Sequence, residues 1–293
     1  MRSKLFFVVV VVVCVLLLAN IASAELIQGI NMDFVPIGNA GNGTDPDTGN
    51  LYGAVSYNYA IGKYEVTNGQ WNAFVSAAGT PTGNPITAYN RSASWIGANI
   101  PTNKVSWYEA AQFCNYLTTR DKSLGAYQFN GNNTNPADFL GIDRDLAISA
   151  YGTAYVIPTE DEWYKAAYYT GSGYSPYANG MDTIPDADNG WNYSGGAYDS
   201  PWDVGTGTME QNGTFDMMGN VFEWNETSIG SCSFHGFRGG TYDNFDYDLS
   251  SSFRSDISPE FASAYIGFRV ASVPEPTTLL LLGLGGLFLR RRK

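Results

Sequence analysis

The residues best suited to chemistry lie in one stretch, residues 214–224 (TFDMMGNVFEW), which places two acids around a Gly-Asn turn. Calcium takes about six to eight oxygen ligands from carboxylates, backbone carbonyls and water. Asp216 and Glu223 are seven residues apart, and seven extended residues span roughly 23 Å, so they can share an ion only if Gly219 and Asn220 turn the chain. The stretch therefore predicts a calcium site, although a buried aromatic strand with a polar turn remains open.

The beginning of the chain has the layout of a secretory signal peptide. Arg2 and Lys4 precede an apolar run over residues 5–19, and Ala22-Ser23-Ala24 supplies the small residues of a cleavage site. This pattern predicts a signal peptide over residues 1–24 with cleavage before Glu25, and it indicates an exported protein.

The end of the chain combines a VPEP sequence at residues 273–276, an apolar run at 277–289 and RRRK at 290–293. An apolar helix of this length reaches only about 20 Å, against roughly 30 Å of hydrocarbon, so it is a marginal membrane span. The order of the three parts resembles the PEP-CTERM sorting tail of Gram-negative bacteria. That resemblance implies recognition by an exosortase, removal of a tail over 273–293 and release to the envelope surface or extracellular matrix. Contact with the membrane through 277–289 would then be transient.

The segment between these ends is acidic and rich in aromatic residues. The whole chain carries a formal net charge of −12, and six of its 16 basic residues lie in the two terminal segments. Such a balance disfavours nucleic acid and anionic lipid as partners. Aromatic residues make up 15% of the chain and Gly contributes 33 residues, which predicts a sizeable core threaded by many loops.

Three capping boxes predict the helices. In each, a Ser or Thr hydroxyl and a Glu or Gln side chain three residues later satisfy the free amides of a helix start. Each helix then presents a Trp (Trp71, Trp107 or Trp163) and small residues to a sheet. Residues 121–154 and 171–213, by contrast, are rich in Gly, Asn, Asp and Ser and are expected to be long loops. The boxes are Thr67-x-x-Gln70, Ser106-x-x-Glu109 and Thr159-x-x-Glu162.

Six ordered motifs, covering about residues 30–271, resemble the formylglycine-generating enzyme family, also called the sulfatase-modifying factor domain. The resemblance implies an α+β, C-type-lectin-like single domain over residues 25–272, with three short helices on small sheets and long calcium-braced loops. The motifs are residues 61–68 (IGKYEVTN), 101–114 (PTNKVSWYEAAQFC), 157–163 (IPTEDEW), 219–224 (GNVFEW), 237–240 (FRGG) and 267–270 (GFRV).

The catalytic metal ligands of the family are missing from this chain. Active members oxidise a sulfatase cysteine with oxygen and copper held by two cysteines, and soft copper(I) requires thiolates. By the family spacing those positions are Asn244 and Leu249, and no cysteine follows Cys232. A sister branch uses iron held by three histidines, whereas this chain has only His235. Copper is therefore not expected, and the chain is expected to lack the oxidase activity.

The calcium ligands of the family carry over better. One family site uses an Asn or Asp side chain, two carbonyls and a Glu, which fall on Asp216, Gly219, Val221 and Glu223. A second site begins at an Asn-aromatic pair, for which Asn192-Tyr193 is the nearest match. Structural calcium is therefore the expected cofactor.

The resemblance also assigns structural roles to several other residues. Cys114 pairs in some members with a cysteine that is Val270 here, so Cys114 is expected to be a packed thiol. His235 is expected to be an ordinary loop residue. Three arginines are expected to hold loops through carboxylates and carbonyls; they are Arg238, Arg254 and Arg269.

Two functions from different classes follow. The favoured one is a non-catalytic surface or matrix scaffold whose loops bind a glycan or a surface protein. The other is a formylglycine-generating oxidoreductase that acts on a sulfatase-like protein with substitute ligands. A weaker third idea is hydrolysis by an acid pair such as Asp243 and Asp246. The aromatic residues proposed to contact a glycan are Trp191, Tyr193, Tyr198 and Trp202.

Overall fold

The structure is a computed structural model that describes residues 23–89, 91–130, 135, 137–187, 190–194, 200–229 and 234–275. The predicted signal peptide up to residue 22, the tail from residue 276, Cys232 and Tyr198 lie outside the described residues. No helix in the described part of the chain is long and apolar enough to cross a membrane.

The three predicted helices form, and each begins with its capping box. At the second, the Ser106 amide donates to Glu109 Oε2 over 2.8 Å and the Glu109 amide donates to Ser106 Oγ over 3.2 Å. The reciprocal bonds are also present at Thr67 and Thr159. The helices of the described residues are α1 (Asn68–Ala78), α2 (Trp107–Thr119), α3 (Arg144–Tyr151) and α4 (Glu160–Tyr168).

Helix α3 corrects the expectation of three helices and of a long loop over residues 121–154. Its N-cap, Asp143, accepts the Leu146 amide over 2.8 Å, and Gly152 ends the helix with φ 77°. Ala147 is the one residue of this helix that is buried. A short helix with a single buried position needs no repeated apolar residues, so its sequence lacks the periodicity from which a helix is predicted.

The strands form three sheets. A five-stranded sheet has the order β1-β2-β3-β11-β6, a four-stranded sheet the order β10-β7-β8-β9, and β4 pairs with β5. Only β10 and β7 pair in parallel among these strands. The bounds are β1 (Ser23–Ile27), β2 (Ile30–Ile37), β3 (Tyr59–Gly62), β4 (Tyr127–Phe129), β5 (Phe139–Ile142), β6 (Thr153–Val156), β7 (Phe222–Ile229), β8 (Phe234–Arg238), β9 (Ser255–Ile257), β10 (Ile266–Gly267) and β11 (Ala271–Pro274).

Aromatic rings fill the space between α1, α2 and the end of the chain. Trp71 of α1 stacks on Phe113 of α2 with ring centroids 6.0 Å apart, and Phe268 packs edge-on against both rings. Cys114 of α2 is a free and fully buried thiol, as expected, and burial raises its pKa. The helices thus cover the sheets in the predicted α+β arrangement.

The second predicted loop, residues 171–213, is irregular throughout its described parts. Its last residues are tied to the end of α4. Gln211 Nε2 donates to the Ala167 carbonyl over 2.9 Å, and Asn212 Nδ2 donates to the carbonyls of Ala166 and Tyr169 over 3.0 and 2.9 Å. Carbonyls at a helix C-terminus have no partner within the helix, so these amides satisfy them and fix the loop.

Candidate functional site

The predicted calcium stretch is a tight turn that contacts the other predicted ion site. Asp216, Gly219 and Asn220 all have positive φ, at 62°, 94° and 62°. A Cβ on Gly219 would lie 2.2 Å from the Asn192 carbonyl oxygen, and the Asn220 amide donates to that oxygen over 2.9 Å. Glycine is therefore required at 219, and the structure brings Asn192 against the turn that holds Asp216.

The two predicted carboxylate ligands are both buried, with different partners. Asp216 Oδ2 accepts the Gly205 amide over 2.8 Å. Glu223 pairs through both oxygens with Arg269, over 2.5 Å each, and also accepts the Trp163 indole N–H over 2.7 Å. Arg269 therefore neutralises Glu223 in this arrangement.

Glu65 is a third carboxylate at this turn, and the sequence reasoning did not single it out. It is 1% exposed and accepts from Asn220 Nδ2 over 2.8 Å and from the Val221 amide over 3.3 Å. Burial, and then the negative charges of Asp216 and Glu223, raise its pKa well above the usual range. The available signal was an acid within a strand-like apolar segment, next to the first capping box.

Three buried carboxylates meet at this turn. Among the described residues, Arg269 is the cation that acts on both Glu65 and Asp216, and burial raises the pKa of Asp216 to about 6. The described residues contain no group of three His, Cys, Asp or Glu side chains that could hold a metal alone. Calcium here would therefore depend on the backbone carbonyls of Gly219 and Val221, as the sequence predicts, and it would supply the missing positive charge.

The two positions expected to hold the copper thiols are engaged in packing and turn contacts. Asn244 Oδ1 accepts from Thr241 Oγ1 over 2.9 Å, and Asn244 Nδ2 donates to Asp248 Oδ2 over 3.0 Å. Leu249 is fully buried at the end of the 3₁₀ helix Asp246–Leu249. A Cβ on Gly240 would lie 2.3 Å from Leu249 Cδ2, so the leucine fills the space under that glycine.

An apolar pocket of about 330 Å³ lies beside this loop. Its rim carries polar groups from Thr241, Asp243 and Asn244, and its walls are rings and aliphatic side chains. The large apolar side chains exposed on and near the loop are Phe245 (69%), Tyr247 (66%), Phe261 (50%) and Tyr265 (41%). The apolar walls are Phe222, Phe237, Ile257, Phe261, Tyr265 and Ile266.

The exposed rings differ from those proposed from the sequence. Tyr193 is 8% exposed and its hydroxyl donates to the Pro185 carbonyl over 2.6 Å, so it belongs to the core. Trp191 and Trp202 are half-buried. The aromatic surface thus lies on the 245–265 segment, and Tyr193 is not part of it.

His235 lies in a buried strand, so the loop interpretation is wrong. Its ring stacks on Trp107 with centroids 3.9 Å apart, and Nδ1 lies 2.8 Å from the Glu226 carbonyl oxygen. Burial lowers its pKa to about 4, which keeps the ring neutral near pH 7.

The three arginines do hold loops, as expected. Arg238 and Arg254 share the carboxylate of Glu160, at 2.7 and 2.9 Å, and Arg238 also donates to the carbonyls of Ser251 and Phe253. Arg269 donates to two further backbone carbonyls. These contacts fix the loop segments around the aromatic pocket.

The suggested acid pair is open to solvent. Asp243 lines the aromatic pocket, whereas Asp246 begins the 3₁₀ helix and accepts the Tyr247 amide over 2.8 Å. Both side chains belong to exposed residues. General acid catalysis by a carboxyl group depends on a raised pKa, for which a buried site is the usual cause.

Two solved structures share the fold. Variable protein 1 of Treponema denticola matches with a TM-score of 0.62 and 21% identity, covering 87% of this chain and 100% of its own. The crystal structure of CarF matches with a TM-score of 0.60 and 22% identity, covering 84% of this chain and 99% of its own. These likenesses agree with the α+β, C-type-lectin-like architecture.

Sequence comparison identifies both parts of the chain. Chaperone protein LppX of Paenibacillus barcinonensis is 26% identical over 183 residues, which are 57% of this chain and 61% of that protein. The chain thus spans about three-fifths of the length of this curated relative. The PEP-CTERM protein-sorting motif matches residues 272–293, which implies export and targeting to the cell envelope. Residues 21–273 match the sulfatase-modifying factor enzyme 1-like domain, and the chain belongs to that family.

Proposed function

We propose that this protein is a non-catalytic scaffold of the cell surface or extracellular matrix, which binds a glycan through the aromatic pocket beside residue 244. The observation that carries the proposal is the exchange at the copper positions. An asparagine and a buried leucine stand there, and exposed rings surround the adjacent pocket. The family's oxidase site is thus replaced by a surface suited to contact.

The pocket has the chemistry that a sugar requires. Aromatic faces such as those of Phe261 and Tyr265 can pack against the C–H face of a sugar ring, and few polar groups are needed to fix its orientation. The exposed side chain of Asp243 offers acceptors for sugar hydroxyl groups at the pocket.

In this proposal calcium stabilises the turn that carries Asp216 and Glu223, and this turn supports the loop of the pocket. The turn that carries Asp216 and Glu223 is bonded to the loop of the pocket: the Gly219 amide donates to the Gly239 carbonyl over 2.8 Å, and the Tyr242 amide donates to the Asn220 carbonyl over 3.0 Å. The role of the ion is to neutralise the excess carboxylates and fix this turn. An exosortase would remove the tail and release the domain to the envelope surface or matrix.

The test is a glycan array probed with the purified exported protein. Phe261→Ser and Tyr265→Ser, made together, are expected to abolish binding, because both rings are exposed and line the pocket. Ile96→Ser is the matched control, since Ile96 is 94% exposed and lies outside this pocket. Equal binding by the double variant and the control would contradict the proposed site.

The competing function is the family's oxidation. A sulfatase-type cysteine peptide, incubated with the protein, copper and oxygen, should keep its mass. Catalytic conversion of its cysteine to formylglycine would contradict the scaffold proposal and would mean that the protein is an oxidoreductase that uses substitute ligands.

A further inference from the structure

The sorting motif begins inside the folded domain. Pro274, which opens the Pro-Glu-Pro sequence, is the last residue of β11 and pairs with Thr153 of β6. The next residue, Glu275, donates its amide to the Gly152 carbonyl over 2.9 Å. Strand β11 is an interior strand of the five-stranded sheet, between β3 and β6, so the start of the motif is fixed to the domain.

The chain leaves no linker between this anchor and the apolar part of the tail. Leu279, the first leucine of the apolar run, follows Glu275 by four residues. Four residues span at most about 14 Å when fully extended. The head-group layer on each side of a bilayer is roughly 5–8 Å thick. With the run in the hydrocarbon, Gly152 and Pro274 therefore lie at the lipid surface.

The surface around the anchor is exposed and has an aromatic ring. Residues 149–152, which form the end of α3 and its cap, are exposed, and Tyr151 is 52% exposed. Beside it, a pocket of about 440 Å³ is lined by Ile148, Val273, Pro274 and Glu275. Tyrosine is enriched where proteins meet the lipid–water boundary, because its ring and hydroxyl suit the two sides.

We propose that, while the tail is attached, the end of the domain formed by Tyr151, Gly152 and Pro274 rests on the lipid head groups of the membrane that holds the tail. The contact is enforced by the short connection and does not require affinity. Asp145 and Glu275 line the pocket at this end together with Arg144, and the chain is acidic overall. An acidic surface has no attraction to anionic lipid, so removal of the tail releases the domain. This inference stands apart from the glycan proposal.

The test measures how close two sites come to lipid. The full mature chain, residues 25–293 with Cys232→Ser, is reconstituted in vesicles of phosphatidylcholine with one quarter phosphatidylglycerol, and a fluorophore is attached at Tyr151→Cys. The control label is at Ile96→Cys, near the α1 N-terminus, where Asn68 Nδ2 donates to the carbonyls of Trp95 and Gly97. That helix follows the far end of β3, so position 96 lies away from the anchor.

A nitroxide on the lipid head group is expected to quench the label at position 151 several-fold more strongly than the label at 96. A flexible Gly-Ser linker of about 15 residues between Glu275 and Pro276, with a span of roughly 20 Å, should bring both labels to the same low level while the protein still floats with the vesicles.

Four results would overturn the proposal. Equal quenching at the two positions would mean that the domain has no fixed orientation, and quenching at 151 that survives the linker would mean that the tether is not its cause. Failure of the full chain to float would remove the premise that the tail inserts. If co-reconstituted exosortase abolishes the lipid quenching and shields position 151 from iodide, the surface belongs to the enzyme.

Discussion

Two neighbouring turns of this domain have opposite character. The turn that carries Asp216 and Glu223 is buried, and both carboxylates accept hydrogen bonds inside the protein. The loop that follows Gly240 turns Phe245 and Tyr247 outward, at 69% and 66% exposure. The two are joined by backbone hydrogen bonds. In the proposed function the buried turn braces the domain and the exposed loop contacts the ligand, so substitutions in the loop should leave the stability of the turn unchanged.

The largest expected effect comes from removing Arg269, the cation that pairs with Glu223 in the buried turn. Arg269→Met leaves Glu223 with the Trp163 indole N–H but without a cationic partner, and breaking a buried pair from one side costs about 3–5 kcal/mol. Urea unfolding measures the loss. Arg120→Met, at an exposed helix end, is the control, and a similar loss in both variants would mean that the turn is not a brace.

The next largest effect is the pH dependence of the free energy of unfolding that arises from the buried His235. His235 has its pKa lowered to about 4 from 6.5, because burial disfavours the charged ring. A depressed folded-state pKa contributes stability that is present above pH 6.5 and is lost as the pH falls towards 4, here about 3 kcal/mol.

His235→Phe keeps a ring to stack on Trp107 and should lack this part of the acid sensitivity. The check is the free energy of unfolding between pH 7 and pH 4 for the two proteins. Parallel curves would contradict the assignment of a buried neutral histidine.

Calcium should stabilise the buried turn by a smaller amount. At a calcium concentration of about 100 times Kd, mass action predicts a gain of about 2.7 kcal/mol. Asp216→Ala should remove this gain, whereas Asp243→Ala, in the exposed loop, should retain it. Melting curves with calcium and with chelator decide the matter. If Asp216→Ala lowers the melting temperature equally in both, the residue only packs.

The smallest expected effect on stability belongs to the contact loop. Phe245→Ser should change the free energy of unfolding by no more than about 0.5 kcal/mol, as exposed positions usually do. A loss of several kcal/mol in thermal or urea unfolding would make this ring part of the core and remove the contrast between the two turns.

The parts of the fold that could be predicted are those with a local signal. A capping box depends on residues three apart in the sequence, so all three boxes identified real helices. Gly219 and Asn220 likewise identified a turn, because left-handed backbone favours these residues. Cys114 and Arg269 were placed correctly as packed and structural residues.

The parts that could not be predicted depend on tertiary contacts. Glu65 is a buried member of the acidic turn because β3 brings residue 65 against Asn220, 155 residues away. The exposure of Phe245 and the burial of Tyr193 cannot be separated by residue type, since both are aromatic residues in polar, glycine-containing segments. His235 was assigned to a loop because its partner, Trp107, is far away in the chain.

Leu249 has a consequence for attempts to redesign this site. A cysteine at this position would be too small for the space that the leucine occupies beneath Gly240, and trimming a buried leucine to alanine, the measured analogue, costs about 2–5 kcal/mol. Introducing a copper site would require a second thiol at Asn244 at the same time, so a substitution at either position alone cannot supply the thiolate pair. Leu249 is therefore a core side chain that any redesign for copper would have to replace, at a cost in stability.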